Sequence, residues 1–300
     1  MRFLSVGECM LELSEADGDL WHMGIAGDTL NTAWYARAQL PAQWQVEYGT
    51  VIGRDRFSAR IPVFLEDNGI GTGALRFHET RTIGLYAITL AAGERSFTYW
   101  RENSAARTLA DDPQALAATM AGAAVIHISG ITLAILSPSG REALIGALAQ
   151  ARAEGVMTVL DPNIRPKLWE SPHSARDWLT RAAGAASVIL PSFDDEAACF
   201  GDRTPEETCA RYAASGARTV IVKNGGAGIM AHHAGEDHRF DALEQVEPVD
   251  TTGAGDSFNG ACLAELATGR PLARAIAAGH DMARRVVRHR GALIPMADLV

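Results

Sequence analysis

Short apolar runs recur along the chain at residues 3–6, 46–51, 125–129, 158–160, 188–190 and 219–222. Each is too short for a stable helix and reads as a buried strand. Ala- and Leu-rich stretches with helical spacing lie between several of them. Residues 139–154 are an example, following the helix start Ser137-Pro138 and stopping near Gly155. This alternation predicts an α/β fold, a mostly parallel central sheet with helices on both faces and right-handed crossovers. No repeat, low-complexity tract or Pro/Gly/Ser-rich linker divides the chain, so residues 1–300 are expected to form a single domain.

One region breaks the alternation. Residues 83–90 and 95–101 are β-rich and separated by Ala91-Ala92-Gly93-Glu94, which suits a hairpin turn. Together with residues 8–13 and 19–23 they predict a small second sheet, drawn from about 8–24 and 82–102. Such a sheet cannot bury both of its faces alone. It is expected to act as a lid over a substrate cleft, a second subunit, or both. Strand alternation puts Tyr99 and Arg101 on one face and Trp100 on the other.

The richest segment chemically is Asp250-Thr251-Thr252-Gly253-Ala254-Gly255-Asp256-Ser257-Phe258. It joins an extended segment to a helix expected over 259–266. The glycines leave backbone N–H groups uncovered at a helix N-terminus, a place that attracts anions. Asp256 sits at the same point. Amides that hold a phosphoryl group beside an acid that takes a proton suit phosphoryl transfer to a hydroxyl. The plainer alternative is a glycine turn in which Asp256 caps the helix.

Other segments leave two readings open. Lys223-Asn224-Gly225-Gly226-Ala227-Gly228 is either a hairpin turn or a loop that approaches nucleotide phosphates. Asp161-Pro162-Asn163-Ile164-Arg165-Pro166 follows a strand, where ligands bind in open α/β sheets, or is a surface Asx-Pro turn. Gly27-Asp28-Thr29-Leu30-Asn31 precedes a helix expected over 32–39, and binds sugar hydroxyls or only caps that helix. Arg101 either forks onto a carboxylate or is an exposed strand residue. P-loop and dinucleotide-binding fingerprints are absent.

Composition narrows the class. The chain is 47% hydrophobic with a formal charge of −9, which argues against nucleic acid as the main partner. No apolar stretch has the length of a membrane span. Four scattered cysteines and no secretory leader predict a cytoplasmic protein with reduced thiols.

Taken together, these segments resemble the PfkB family of ribokinase-like carbohydrate kinases. The Asp250–Asp256 run is similar to that family's C-terminal signature. The resemblance extends from Val6-Gly7-Glu8-Cys9-Met10-Leu11-Glu12-Leu13-Ser14 to Asp194-Asp195-Glu196. The Tyr99-Trp100-Arg101, Ser129-Gly130-Ile131 and Asn163-to-Trp169 segments point to its keto-deoxy sugar acid branch. The resemblance implies ATP and Mg2+ as co-substrates, and leaves a monovalent cation open. The reaction implied is phosphorylation of a sugar acid at its terminal hydroxyl, with another sugar or sugar acid (fructose, ribose, 2-keto-3-deoxygalactonate) as the alternative. It makes Asp256 the base and Gly253, Ala254, Gly255 and Asp256 the anion hole. Gly27, Asp28 and Asn31 would bind substrate hydroxyls, and Tyr86, Tyr99, Arg101 and Arg165 the acid end and neighbouring oxygens. Asn163, Ser192, Lys223, Gly225 and Gly228 would line the nucleotide side, with Asp195 and Glu196 serving the metal through water. The family's Gly-Gly pair is here Ala26-Gly27, and its Asn-x-x-Glu motif is Ser192-Phe193-Asp194-Asp195. A homo-oligomer formed through the lid is expected.

Overall fold

A computed structural model describes residues 1–16, 19–91, 94–241 and 243–299. Ala92-Gly93 of the expected hairpin turn lie outside the described residues. In chain order the first strands are β1 (Arg2–Val6), β2 (Met10–Glu15), β3 (Trp21–Ala26), β4 (Gln45–Ile52), β5 (Leu75–Phe77), β6 (Gly84–Ala91) and β7 (Glu94–Trp100). Then come β8 (Val125–Ser129), β9 (Met157–Asp161), β10 (Val188–Ile189), β11 (Thr219–Lys223), β12 (Ile229–His233) and β13 (Glu236–Phe240). The helices are α1 (Asp28–Gln39), α2 (Arg60–Asp67), α3 (Pro113–Met120), α4 (Gly130–Ile135) and α5 (Pro138–Ala153). They continue with α6 (Pro172–Ala185), α7 (Phe193–Phe200), α8 (Pro205–Ala214), α9 (Ala254–Ala267) and α10 (Leu272–Val286).

Nine strands form one sheet in the order β13-β12-β11-β10-β9-β8-β1-β4-β5. The pairs from β11 to β5 are parallel, and the β11–β12 and β12–β13 pairs are antiparallel. Side chains alternate across it. Phe3, Val125, Val159 and Ile221 join a core with Leu30, Ala33, Phe258, Ala261 and Ile276 of α1, α9 and α10. Leu4, Ile126, Leu160 and Val220 pack on the other side against Leu116, Leu144, Leu179 and Tyr212 of α3, α5, α6 and α8. Chain order reverses at β1: β4 and β5 lie on one side of it, β8 to β11 on the other. A reversal of this kind opens a crevice beyond the carboxyl ends of the strands. Glu8, Ser129, Asp161, Ser192 and Lys223 all stand at or just past those ends.

The second sheet has the order β3-β2-β6-β7. Gly24, Glu12, Tyr86 and Tyr99 lie side by side in one row across its four strands. On the opposite face Leu11, Ile25 and Leu85 pack into the core. Trp21 and Trp100, on that same opposite face, are 45% and 58% exposed.

Candidate active site

The turn into α9 builds the element expected to bind an anion. Gly253 is the N-cap at φ +75°, a left-handed conformation that suits glycine. A Cβ there would also stand 2.8 Å from the Ala292 carbonyl oxygen. Asp250 braces the turn: Oδ1 accepts from Thr252 N–H at 3.0 Å, and Oδ2 from Gly291 N–H at 2.6 Å. The Ala254 and Ser257 N–H groups are used locally, by Thr251 O and Gly253 O. Between them, the N–H groups of Gly255 and Asp256 have no partner among the described residues. Partial positive charge therefore gathers there, as at any uncapped first turn. Among the described residues beyond its chain neighbours and its own helix backbone, Lys223 Nζ, at 3.6 Å, is what lies near the position a Cβ on Gly255 would take.

The helix starts at Ala254, earlier than the sequence suggested, so Asp256 belongs to its first turn. Its carboxylate makes no capping bond. Instead Oδ2 accepts one hydrogen bond, from Asn31 Nδ2 at 2.8 Å. Burial, then the charge of Asp28, push the Asp256 carboxyl up to about 7; Asp161 adds to this, while Asn31 and Lys223 oppose it. A base poised near neutrality is what proton transfer from an alcohol needs.

Asp28 and Asn31 sit in the first turn of α1, which begins at Asp28 and not at Thr32. Their spacing puts them on one face. Gly27 is the N-cap, and a Cβ on it would clash with the Glu8 carbonyl oxygen. Asp28 caps nothing; its Oδ2 accepts from Asn163 Nδ2 at 2.8 Å. Asn163 takes a left-handed φ of +33° and its N–H meets Asp161 Oδ1 at 3.1 Å. The resemblance implies that Asn163 lines the nucleotide side; here its amide donates to Asp28, among the residues expected to bind sugar hydroxyls.

A buried cluster underlies Gly255. Asp161 Oδ2 accepts from Asn259 Nδ2 at 2.6 Å and from Lys223 Nζ at 3.3 Å, and Lys223 also donates to Asn259 Oδ1 at 3.0 Å. The sequence placed Asp161 on a loop where ligands bind without giving it a specific role, and did not single out Asn259. Its i+3 spacing from Asp256 on α9 was the available signal. Ser192 bridges to Lys223 in parallel register. Gly225 and Gly228, at φ +50° and +101°, belong to the hairpin between β11 and β12. That hairpin stands at the same sheet end, so turn and nucleotide flank are compatible.

The lid supplies the opposite wall. Tyr86 hydroxyl donates to Glu12 Oε2, and the Tyr86 and Tyr99 rings are 5.7 Å apart. Arg101, only 7% exposed, donates to Oε2 of the equally buried Glu8, and its guanidinium lies 5.9 Å from the Tyr99 ring. Arg165 stands at the rim with 51% of its side chain exposed, 3.2 Å from Asp195 Oδ2. Burial raises the Tyr99 phenol while Arg101 and Arg165 both pull it down, so both cations are within electrostatic reach of Tyr99. Burial and Glu12 raise Tyr86, and Tyr99 and Asp256 add smaller effects. Tyr86 thus feels both Tyr99, which the two arginines act on, and Asp256.

The pfkB family carbohydrate kinase model matches residues 2–299. The chain belongs to the pfkB family of carbohydrate kinases. It is 37% identical to the 2-dehydro-3-deoxygluconokinase of Escherichia coli (strain K12) over 297 residues, 97% of this chain and 96% of that one. Its fold matches the 2-dehydro-3-deoxygluconokinase of Thermotoga maritima with a TM-score of 0.84 at 20% identity, covering 100% of this chain and 97% of the other. A ribokinase II candidate from E. coli, in complex with ATP and Mg2+, matches at 0.85 and 23% identity, with 99% and 97% covered.

Within this pfkB kinase, two departures from the family pattern have structural explanations. Ala26 is absent from the positive-φ residues, and its methyl packs with Met10, Tyr86 and Ile88. The metal expectation for Glu196 is corrected. Its two oxygens accept from Tyr212 Oη at 3.1 and 3.0 Å, and Oε2 also from Arg211 at 2.7 Å. Fully buried in the α7–α8 contact, it faces away from the cleft. Successive helical residues diverge by about 100°, so Asp195 and not Glu196 turns toward Arg165 and Asp161. Burial raises Asp195, opposed by Arg165 and reinforced by Asp161.

Proposed function

We propose that this chain transfers the γ-phosphoryl group of ATP to the terminal hydroxyl of 2-keto-3-deoxy-D-gluconate (2-dehydro-3-deoxygluconate), giving 2-keto-3-deoxy-6-phosphogluconate. The observation that carries the reading is Asp256, a carboxylate with one donor among the described residues, beside two unpartnered amides and near a lid that carries Tyr86, Tyr99 and Arg101. Asp256 takes the proton of the attacking hydroxyl, held by Asp28 and Asn31. The Gly255 and Asp256 amides and Lys223 Nζ stabilise charge on the transferring group.

The residues present fit a nucleotide triphosphate: open space above Gly255, two free donors and one ammonium. Among the described residues no group of three or more His, Cys, Asp or Glu could cage a metal. Mg2+ bound through ATP phosphates and water fits this better than a protein cage. Asp195 and Asp161 would supply the nearby carboxylates, and the ion would neutralise charge on the phosphates.

A sugar acid brings a carboxylate that needs a cation once water is excluded. Arg101 and Arg165 flank Tyr99 and supply it. Glu8, bonded to Arg101, favours a second reading, a neutral sugar such as fructose or ribose. The exposed Trp21–Trp100 face of the lid would pair with a second copy of the chain. Light scattering of wild type against Trp100→Glu tests that pairing. No helix among the described residues is long and apolar enough to cross a membrane. The four free thiols go with a cytoplasmic location.

The deciding experiment is ADP release with 2-keto-3-deoxygluconate, 2-keto-3-deoxygalactonate, fructose and ribose side by side. Turnover of the keto-deoxy acids well above the neutral sugars is expected. Preference for fructose or ribose would overturn the substrate assignment and leave the kinase assignment standing.

A further inference from the structure

Glu12 stands outside the residues so far given a role. It projects from β2 in the same row as Tyr86 and Tyr99, on the lid face that meets the cleft. The fourth position in that row is Gly24, where a Cβ would come no closer than 3.8 Å to Glu12 Oε1. One flank of the carboxylate is therefore left open to the cleft side. Its other oxygen, Oε2, accepts the hydroxyl proton of the buried Tyr86.

A phenol has one proton to donate. Once Glu12 has taken it, the Tyr86 oxygen offers the cleft only lone pairs. Without Glu12, that hydroxyl could rotate and donate to a keto or carboxylate oxygen. With it, a keto oxygen in the same place would face an acceptor with no proton between them, which is costly in a water-poor cleft. The pair thus converts an ambivalent group into a one-way reader of substrate donors.

Position along the cleft says which donor. Adjacent strands lie about 4.8 Å apart, so Tyr86 stands one such step from Tyr99, whose phenol feels both arginines. The Asp256 charge acts on Tyr86 and is not among the groups acting on Tyr99, so Tyr86 is the tyrosine nearer Asp256. In a 2-keto-3-deoxy acid anchored by its carboxylate, carbon 3 bears no hydroxyl. The first donor met on leaving the acid end is the carbon-4 hydroxyl.

We propose that Glu12 is a specificity-determining residue that acts through Tyr86, fixing the Tyr86 oxygen as an acceptor for the substrate's carbon-4 hydroxyl. This rests on the substrate class proposed above. It also makes the pair the reader of carbon-4 configuration, the one centre at which 2-keto-3-deoxygluconate and 2-keto-3-deoxygalactonate differ. A site built to bond a hydroxyl discriminates strongly against analogues that misplace or lack it.

The test measures kcat and KM by ADP release for wild type, Glu12→Ala, Glu12→Gln, Tyr86→Phe and the Glu12→Ala/Tyr86→Phe double variant. Substrates are both epimers and the analogue lacking the carbon-4 hydroxyl. Glu12→Ala is expected to lower kcat/KM for the preferred epimer about 10- to 100-fold, chiefly through KM for the acid, with KM for ATP unchanged. The gap between epimers should narrow, and the deoxy analogue should show no further loss. The double variant should be no worse than Tyr86→Phe alone. Glu12→Gln, whose amide oxygen still accepts the phenol proton, should recover most of the loss and guards against a folding artefact. An unchanged Glu12→Ala, an equal loss on the deoxy analogue, or additive losses in the double variant would overturn the proposal. If wild type instead prefers a neutral sugar, the substrate assignment fails. The variants are then compared on that sugar and its deoxy analogues, where additive losses would sink the Glu12–Tyr86 coupling itself.

Discussion

Among the described residues, burial pushes two carboxyl groups to about 7: Asp256 at the start of α9 and Glu196 between α7 and α8. By that measure they are twins, yet they serve different ends. Glu196 has both oxygens filled by Tyr212 and Arg211. Among the described residues Asp256 has one donor, Asn31, and negative neighbours in Asp28 and Asp161. The first is a saturated structural node; the second retains acceptor capacity beside unused amides. A perturbed acid therefore marks a reactive site only where its bonding is incomplete and a cleft faces it.

The sharpest way to break this contrast is to neutralise each carboxyl in turn. Asp256→Asn should lower kcat by roughly 10²–10⁴-fold, measured by ADP release, while circular dichroism stays unchanged. Wild-type turnover would remove Asp256 from the base role. Glu196→Ala should do the reverse. It leaves Arg211 without one of its buried counter-charges, so stability should fall by about 2–4 kcal/mol in urea titration, with kcat per folded molecule kept. A matching loss of kcat in folded protein would mean that Glu196 does reach the cleft.

A third test uses pH. The base must be ionised, so kcat/KM should fall about tenfold per pH unit below a limb near 7 and level off above it. Stability has the opposite sign. Both carboxyls have folded values above their unfolded ones, so the stability they contribute is full below about pH 4 and fades as pH climbs through about 7. Asp256→Asn and Glu196→Gln should each flatten the dependence of Tm on pH in that window. Smallest is Asn31→Ala, which removes the bond that holds the Asp256 carboxyl down. The acid limb should move to higher pH, with a loss of about 2- to 10-fold in kcat/KM at pH 7. An unmoved limb would show that the Asn31 bond does not set the base.

How much of this was readable in advance depended on range. The strands at 125–129 and 219–222 announced themselves because β-branched runs fill a buried parallel sheet. The helix at Pro138–Ala153 carried its Ser-Pro start in the sequence, and Ser137 Oγ does accept from Gly140 N–H at 3.1 Å. The starts of α1 and α9 were placed too late. Gly253-Ala254-Gly255-Asp256 has poor helical propensity, and packing against α1 and α10 overrides it. Glu196 was misplaced by adjacency to Asp195, an error that helical geometry alone could have caught. The Asp161–Lys223–Asn259 cluster and the Glu12–Tyr86 pair depend on which strands are neighbours. No local pattern encodes that.

The borders of the large sheet carry one more consequence. It ends at β5, three residues long, and at β13, which reads Glu-Asp-His-Arg-Phe. A foreign strand seeking main-chain partners finds too little length at one margin and a row of charges at the other. The cover is less guarded, since its outer strands β3 and β7 run six and seven residues. If this enzyme ever polymerises or recruits an extended peptide, growth should begin on the cover and leave the nine-stranded sheet intact.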